Sequence, residues 1–318
     1  MQFKPSFFLK NRHIQTVYST FFRKPLKLDF KIEEFTLSDG DFLECYWHNT
    51  NKQTKDIVIL FHGLAGSWES PYIQGVMKEL SNASFTSVIM HYRGCATKPN
   101  KLPRSYHSGD TKDALEFVNS IKQRYPNAKL YGVGYSLGAN MLLKLLGEQK
   151  NNKLFYKAVA VSAPMLLDVC ANKMDIGFSK IYQKRLLKDL NLALEKKYDM
   201  FDMQSLIGLK KEDISKLDTF WKFDGAYTAP IHGFSSAQDY YSRCSSRQFL
   251  KDIKTPTLII HSKDDPFMTP EVLPNKDELS ETIELLILEK GGHVGFIGGS
   301  FFKPVYWLEK KIVSYLKS

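Results

Sequence analysis

The sequence predicts an α/β protein built on a mostly parallel sheet, with a helical insertion late in the chain. Three observations lead there. Short apolar runs alternate with helix-like runs from residue 55 to residue 162, and that rhythm demands right-handed crossovers between parallel strands. Leu130 to Tyr135, then Gly134-x-Ser136-x-Gly138, then Met141 to Leu146 place a strand, a glycine-bracketed serine and a helix in direct succession. The strand rhythm then stops at Met165 and returns at Thr257 to His261 and at Ile283 to Leu288, so about residues 165–250 read as an insertion between sheet elements.

The first 27 residues are rich in Phe and in basic residues. Phe7, Phe8, Tyr18, Phe21 and Phe22 are too numerous to leave all exposed, so this segment is expected to strap onto the domain. Leu28 to Leu37 and Phe42 to His48 alternate as two strands, and Ser38-Asp39-Gly40-Asp41 supplies the turn of a hairpin. Lys55 to Phe61 is a buried strand that ends in His62-Gly63-Leu64-Ala65-Gly66-Ser67. A helix near Ile73 to Leu80 leads to a strand from Phe85 to His91. The irregular stretch Arg93 to Ser108 precedes a helix capped by Ser108 or Asp110, acidic early at Asp110 and Asp113 and basic late at Lys122 and Arg124. The helix after Ser136 is expected to end near Gly147, with a further strand from Phe155 to Ser162. Within the insertion, Ile176 to Tyr198 reads as an amphipathic helix: Phe178, Ile181, Tyr182, Leu186, Leu190 and Leu194 oppose Lys180, Lys184, Lys188 and Lys196. Helical structure resumes at Ser236 to Arg243.

A length of 318 residues suits one α/β domain with a strap over residues 1–27 and a cap over about 165–250. The 43% hydrophobic and 25% charged fractions belong to an ordinary globular chain, with no apolar run long enough to span a bilayer. The N-terminus lacks the pattern of a secretory signal, and Cys45, Cys95, Cys170 and Cys244 form no CxxC pair; both point to the cytoplasm. The net charge of +10 is spread along the chain rather than gathered with interleaved aromatics, which argues against nucleic acid. An anionic membrane surface, weakly held, is the better partner for such charge. Nothing in the composition fixes an oligomeric state. No HExxH or similar spacing appears, so neither a metal nor another cofactor is expected.

A strand turning sharply into a helix forces its corner residue into a strained conformation and requires small neighbours on both sides. Ser136 is therefore the candidate nucleophile, its hydroxyl presented above the sheet. A serine hydroxyl needs a base and a third group that orients the base. The last two strands end in suitable chemistry. After Thr257 to Ile260 comes His261-Ser262-Lys263-Asp264-Asp265-Pro266-Phe267-Met268, and after Leu285 to Leu288 comes Gly291-Gly292-His293-Val294-Gly295. His293, between glycines, is the candidate base; Asp265 is the preferred acid, Asp264 is the alternative, and the other of the two should cap a turn. His62, His91, His107, His232 and His261 lack such a setting, and His62 should stabilise its own loop. The backbone N–H groups of Leu64 and Leu137 are the candidate oxyanion donors.

The chain resembles the YheT-like α/β-hydrolases, whose vertebrate relatives are membrane-associated lipid esterases, over nearly its whole length. The resemblance rests on Asn11-Arg12-His13-Ile14-Gln15-Thr16, His62-Gly63-Leu64-Ala65-Gly66, Tyr92-Arg93-Gly94-Cys95 and the run from Pro99 to Gly109. Gly134-Tyr135-Ser136-Leu137-Gly138, Thr228-Ala229-Pro230-Ile231-His232-Gly233-Phe234 and Gly291-Gly292-His293-Val294-Gly295-Phe296 complete it. Ala139 and Ala96-Thr97 depart from positions where glycine is common. The resemblance implies an α/β-hydrolase fold with an eight-stranded sheet, a triad of Ser136, Asp265 or Asp264, and His293, and carboxylic ester hydrolysis. The expected function is thus a serine esterase acting on short-to-medium acyl or lipid-like esters through an acyl-enzyme. Acyl transfer to an alcohol and noncatalytic binding on a hydrolase scaffold are the alternatives. Phe178, Ile181, Tyr182, Leu186, Trp221 and Phe223 are the candidates for an apolar wall over the cleft.

Overall fold

In the computed structural model, which describes residues 2–50 and 56–318, the apolar runs assemble into an eight-stranded sheet. Its strands are β1 (Phe30–Thr36), β2 (Phe42–His48), β3 (Asp56–Phe61), β4 (Thr86–Met90), β5 (Lys129–Tyr135), β6 (Lys157–Val161), β7 (Thr257–Ser262) and β8 (Ile283–Leu288). Their order is β1-β2-β4-β3-β5-β6-β7-β8. β1 and β2 form the expected antiparallel hairpin and β2 runs antiparallel to β4, whereas every pairing from β4 to β8 is parallel. The α/β class and the strand count are as the sequence and the resemblance implied. The chain passes from β3 to β4 on one side and then to β5 on the other, so the carboxyl ends of β3 and β5 flank a topological switch point, where α/β sheets open a crevice.

Central strands must be apolar on both faces because helices cover both. Ile57 to Phe61 are accordingly buried without alternation. On one face lie α3 (Thr111–Arg124) and α4 (Leu137–Gln149), which contribute Ala114, Phe117, Leu142 and Leu145 to the core. On the other lie α2 (Pro71–Asn82) and the C-terminal helix Trp307–Lys317, with Ile73, Met77, Leu308 and Ile312. That last helix and the short hairpin of Ile297–Gly299 with Pro304–Tyr306 had no counterpart in the sequence reading.

Boundaries shift for identifiable reasons. Lys55, predicted to open β3, lies outside the described residues. α4 runs past Gly147 to Gln149; there a side chain would strike the Phe249 carbonyl at 2.5 Å, so this glycine permits close packing rather than ending the helix. Asp110 occupies the cap position of α3 yet bonds no helix amide, because its carboxylate is taken by Arg104 at 3.0 Å.

Residues 165–250 are helical, as expected, and include α5 (Leu167–Met174) and α6 (Ser179–Tyr198). The buried face of α6 is rotated from the predicted one: Lys180, Lys184, Lys188 and Lys196 are exposed as expected, but of the predicted apolar side only Leu194 is fully buried. Ser179, Gln183, Leu187, Leu194 and Lys197 point inward, while Phe178 and Ile181 are 54% and 59% exposed. Polar partners explain the rotation: Ser179 Oγ donates to the Pro266 carbonyl (2.6 Å), and Lys197 Nζ donates to Asn100 Oδ1 and the Leu102 carbonyl (both 2.6 Å). Phe223 packs with Leu187, Leu194 and Tyr227 inside the insertion, and Trp221 packs on Tyr241 and donates to Asn172 Oδ1 (2.8 Å). Neither of those two belongs to a wall over the cleft.

The N-terminal strap forms α1 (Arg12–Phe22), capped by Asn11, whose Oδ1 accepts from His13 and Ile14 N–H. Of its five predicted packing aromatics only Tyr18 is buried. The strap is instead anchored by Leu9 and by Gln15, which exchanges hydrogen bonds with the Leu9 carbonyl and with both backbone groups of Ile297. Among the described residues no helix is long and apolar enough to cross a membrane.

Candidate active site

β5 delivers Ser136 to the switch point with φ 51° and ψ −118°, a conformation costing a non-glycine residue on the order of 1–3 kcal/mol. Surrounding bonds hold it: Ser136 N–H donates to the Val161 carbonyl (2.9 Å), and its own carbonyl accepts from Ala139 and Asn140 N–H. Both flanking glycines are required. A side chain at Gly134 would meet the Gly138 carbonyl at 2.5 Å, and one at Gly138 would run into the carbonyls of Phe61 and His62 at the end of β3.

The loops after β7 and β8 bring the base and acid to this serine. Ser136 Oγ lies 2.9 Å from His293 Nε2, and His293 Nδ1 lies 2.8 Å from Asp265 Oδ2. Oδ1 of Asp265 accepts from Phe267 N–H (2.8 Å), so both carboxylate oxygens are engaged and the group is fixed in orientation. Asp264, expected as the cap of a turn, bonds across to the other loop instead. Its Oδ1 accepts from Gly292 N–H (3.0 Å) and ties the two loops together. His293 itself is held by its N–H, which donates to Thr16 Oγ1 (2.9 Å), and by the Phe267 ring stacked 4.1 Å away. Gly292 and Gly295 pack against the backbone of Arg12 and Gln15 with no room for side chains. Asn11 to Thr16 are therefore the shelf on which the histidine loop rests.

Of the four amides from Gly63 to Gly66, in the loop after β3, one is without a protein acceptor. Gly63 N–H donates to Tyr72 Oη (3.0 Å), Ala65 N–H to Tyr106 Oη (3.0 Å) and Gly66 N–H to the Gly63 carbonyl (3.0 Å). Among the described residues neither Leu64 N–H nor Leu137 N–H, at the start of α4, is taken. Two free amides beside a nucleophile can stabilise a developing oxyanion. His62 is fully buried, with Nδ1–H donating to the Gly63 carbonyl (2.7 Å) and Nε2 accepting from Tyr92 N–H (3.2 Å). Burial holds it down to about 3, so it is a neutral strut of this loop, as the sequence suggested.

Reading the sequence singled out Ser136, Asp265, His293, Leu64 and Leu137, and the fold brings all five together. It missed Thr16, Tyr72, Tyr106 and Phe267. Thr16 and Tyr106 fall within two of the runs of the resemblance that had no assigned task. Of the predicted wall, Tyr182 reaches the site, its ring 5.0 Å from Phe267 and its hydroxyl 3.1 Å from His13 Nδ1.

This arrangement on this sheet defines an α/β hydrolase. The chain belongs to that family, residues 56–300 matching the family model described as alpha/beta hydrolase fold, and within it to the esterase- and lipase-like members. It is 39% identical over 317 residues to the YheT protein of Escherichia coli (strain K12), an alignment covering 99% of this chain and 93% of that one. It is 29% identical over 249 residues to the monoacylglycerol lipase of Saccharomyces cerevisiae, covering 76% of this chain and 55% of that protein. The solved Pyrococcus furiosus esterase Pf2001 shares the fold with a TM-score of 0.60 and 18% identity, covering 92% of this chain and 91% of that one.

Proposed function

We propose that this chain is a serine esterase that cleaves carboxylic esters through an acyl-enzyme. The observation that carries the reading is the unbroken line from Ser136 Oγ through His293 to Asp265, beside two free amides. His293 Nε2 takes the hydroxyl proton as Oγ bonds to the acyl carbon, and the carbonyl electron pair moves onto oxygen, held by Leu64 and Leu137 N–H. The oxyanion collapses, the ester C–O bond breaks, and the imidazolium returns its proton to the departing alkoxide. A water deprotonated by His293 then attacks the acyl-enzyme, releasing the acid and restoring Ser136. Asp265 accepts from Nδ1–H throughout and stabilises the imidazolium.

We read the chain as one hydrolase domain with its strap at 1–27 and residues 165–250 as a cap. Tyr182 and Phe267, beside His293, supply an apolar surface suited to an acyl chain, worth about 0.8 kcal/mol per buried methylene. With a relative named monoacylglycerol lipase, this favours short-to-medium acyl or lipid-like esters. A weak association with anionic membrane belongs to the same reading, and four free cysteines accord with the cytoplasm. The test is hydrolysis of p-nitrophenyl esters of increasing chain length, with labelling by a fluorophosphonate. Ser136→Ala should abolish both while the thermal melt is retained; undiminished turnover in that variant refutes the mechanism. Added ethanol separates hydrolysis from transfer by the products formed.

A further inference from the structure

Three segments converge on the buried trio Leu9, Tyr18 and Ile297: the turn Phe7–Lys10, the end of α1 and the tip of the hairpin at 299–304. Around this small core the large apolar side chains face outward. Phe7 is 78% exposed, Phe8 70%, Phe21 73%, Phe22 56% and Phe302 92%. Their rings form two groups on the segments that meet at this core: Phe7 meets Phe8, and Phe22 meets Phe301, which meets Phe302, with ring centroids 5.1–5.6 Å apart. Exposed apolar surface on this scale marks a contact site.

The charge around it selects the partner. Lys4, Lys10, Arg12, Lys24, Lys27 and Lys303 are exposed, and none pairs with an acid among the described residues. Arg23 is excluded from the group because it pairs with buried Glu309. No acidic residue occurs before Asp29. A second copy of this chain docking the same face would set these cations against their own kind, and a neutral apolar partner would leave them unused. An anionic lipid headgroup layer neutralises them while the phenylalanines enter the boundary with the acyl chains, the pairing of apolar insertion and positive charge by which peripheral proteins hold a bilayer. On α6, Lys180 and Arg185 are already paired with Asp175 and Asp189, while Lys184, Lys188 and Lys196 are exposed without an acidic partner among the described residues.

We infer that this aromatic and basic face of the strap and hairpin docks the protein on an anionic bilayer surface. The strap also carries Thr16, which holds His293, so docking brings the candidate cleft to the lipid. In this respect the inference rests on the esterase reading, for it supplies that enzyme with a membrane-borne ester.

Sedimentation of the full chain with vesicles tests it. Binding to mixed phosphatidylserine–phosphatidylcholine vesicles should exceed binding to phosphatidylcholine alone by about tenfold at low salt and fall toward it at high salt. Phe7→Ser/Phe8→Ser/Phe302→Ser should lower binding to anionic vesicles about tenfold or more, as loss of one of two anchoring signals does. Lys4→Gln/Lys10→Gln/Lys303→Gln should remove the preference for anionic lipid. Both variants should hydrolyse soluble p-nitrophenyl acetate like the parent, so failure of docking and failure of the esterase reading are read separately. Parent-like sedimentation of the triple Phe variant overturns the inference, as does equal parental binding to neutral and anionic vesicles. A parental dimer that the triple Phe variant dissolves, in sedimentation equilibrium, assigns the face to a second copy and overturns it too.

Discussion

Replacing Asp265 by Asn tests the proposed triad at the point where sequence left two adjacent candidates. Asp265 uses one carboxylate oxygen to accept from Phe267 N–H and the other to accept from His293 Nδ1–H. In Asp265→Asn the amide oxygen keeps the Phe267 bond, and the amide NH2 then faces Nδ1. Nδ1 must become an acceptor, which moves the imidazole proton to Nε2, opposite Ser136 Oγ. The base then presents a proton where it needs a lone pair. In triads of this geometry the same substitution costs about 10⁴ in kcat, equivalent to about 5.5 kcal/mol of barrier. Asp264→Asn behaves differently, because the amide oxygen can still accept from Gly292 N–H. Only the pair with Lys290, 3.7 Å away and with that lysine half exposed, is lost, a contact worth about 0–1 kcal/mol. Its turnover should stay within about fivefold of the parent. The assay is kcat and KM on a p-nitrophenyl ester beside a thermal melt for each variant. A silent Asp265→Asn with a crippled Asp264→Asn would refute the assignment.

Tyr106→Phe removes the acceptor that occupies Ala65 N–H; kcat should fall about tenfold or more with KM nearly unchanged, less than the 10²–10³ lost with an oxyanion donor itself. Equal changes in kcat and KM, or none, would remove Tyr106 from the positioning of this loop. Gly138→Ala should abolish fluorophosphonate labelling and lower the melting temperature, since its added carbon meets two backbone carbonyls of the β3 end; a labelled, parent-like protein would contradict the packing. Asp224, half-buried with its carboxylate enclosed against the hydroxyls of Tyr241 and Thr228, has its carboxyl pushed up to about 6 by desolvation. The folded protein therefore holds a proton there that the unfolded chain has released, so stability falls as pH rises from about 4 to about 6, by up to about 3 kcal/mol, and the loss is complete above that. Asp224→Asn should flatten that dependence in thermal melts between pH 4.5 and 7; parallel curves would count against it.

The sheet and elbow were legible because each rests on a local rule. Continuous apolar runs such as Ile57 to Phe61 can only be strands covered on both faces, and only glycine fits at 134 and 138 once a helix must follow a strand there. The acid was legible to within one residue, since choosing between Asp264 and Asp265 depends on which way a loop turns. α6 was misread because periodicity counts hydrophobicity, whereas this helix is oriented by Ser179 and Lys197, polar residues whose partners come from loops far away in sequence. Tyr72 and Tyr106 had no signal of their own. Their hydroxyls matter through distant backbone amides, which no spacing rule connects.

The stretch from Arg93 to Ser108 has almost no regular structure; most of it is half-buried or exposed, only Arg93, Asn100 and Ser108 are buried, and it lies between the loop after β3 and the insertion. Such a loop needs fixing by side chains, because it has no ladder of its own. Arg93 supplies that, bonding Asp39, Asp41 and Asp113 at 2.6–2.8 Å, while Arg104 bonds Asp110 and Asp113 at 3.0 Å. Asp41 also accepts from Asn100 Nδ2 and Lys101 N–H, so the buried charges are satisfied. Removing one partner of such a pair costs about 3–5 kcal/mol, which makes the network an expensive but unambiguous way to set one backbone path. Along that path Ser105 meets Tyr227, Ser108 N–H donates to Tyr240 Oη, and the Asn100 side chain receives Lys197, all three partners belonging to the insertion. Tyr106, between the first two, faces the other way and accepts from Ala65 N–H. The same short segment therefore ties down the insertion through Asn100, Ser105 and Ser108 and, through Tyr106, takes the Ala65 amide beside the candidate site, leaving Leu64 N–H free.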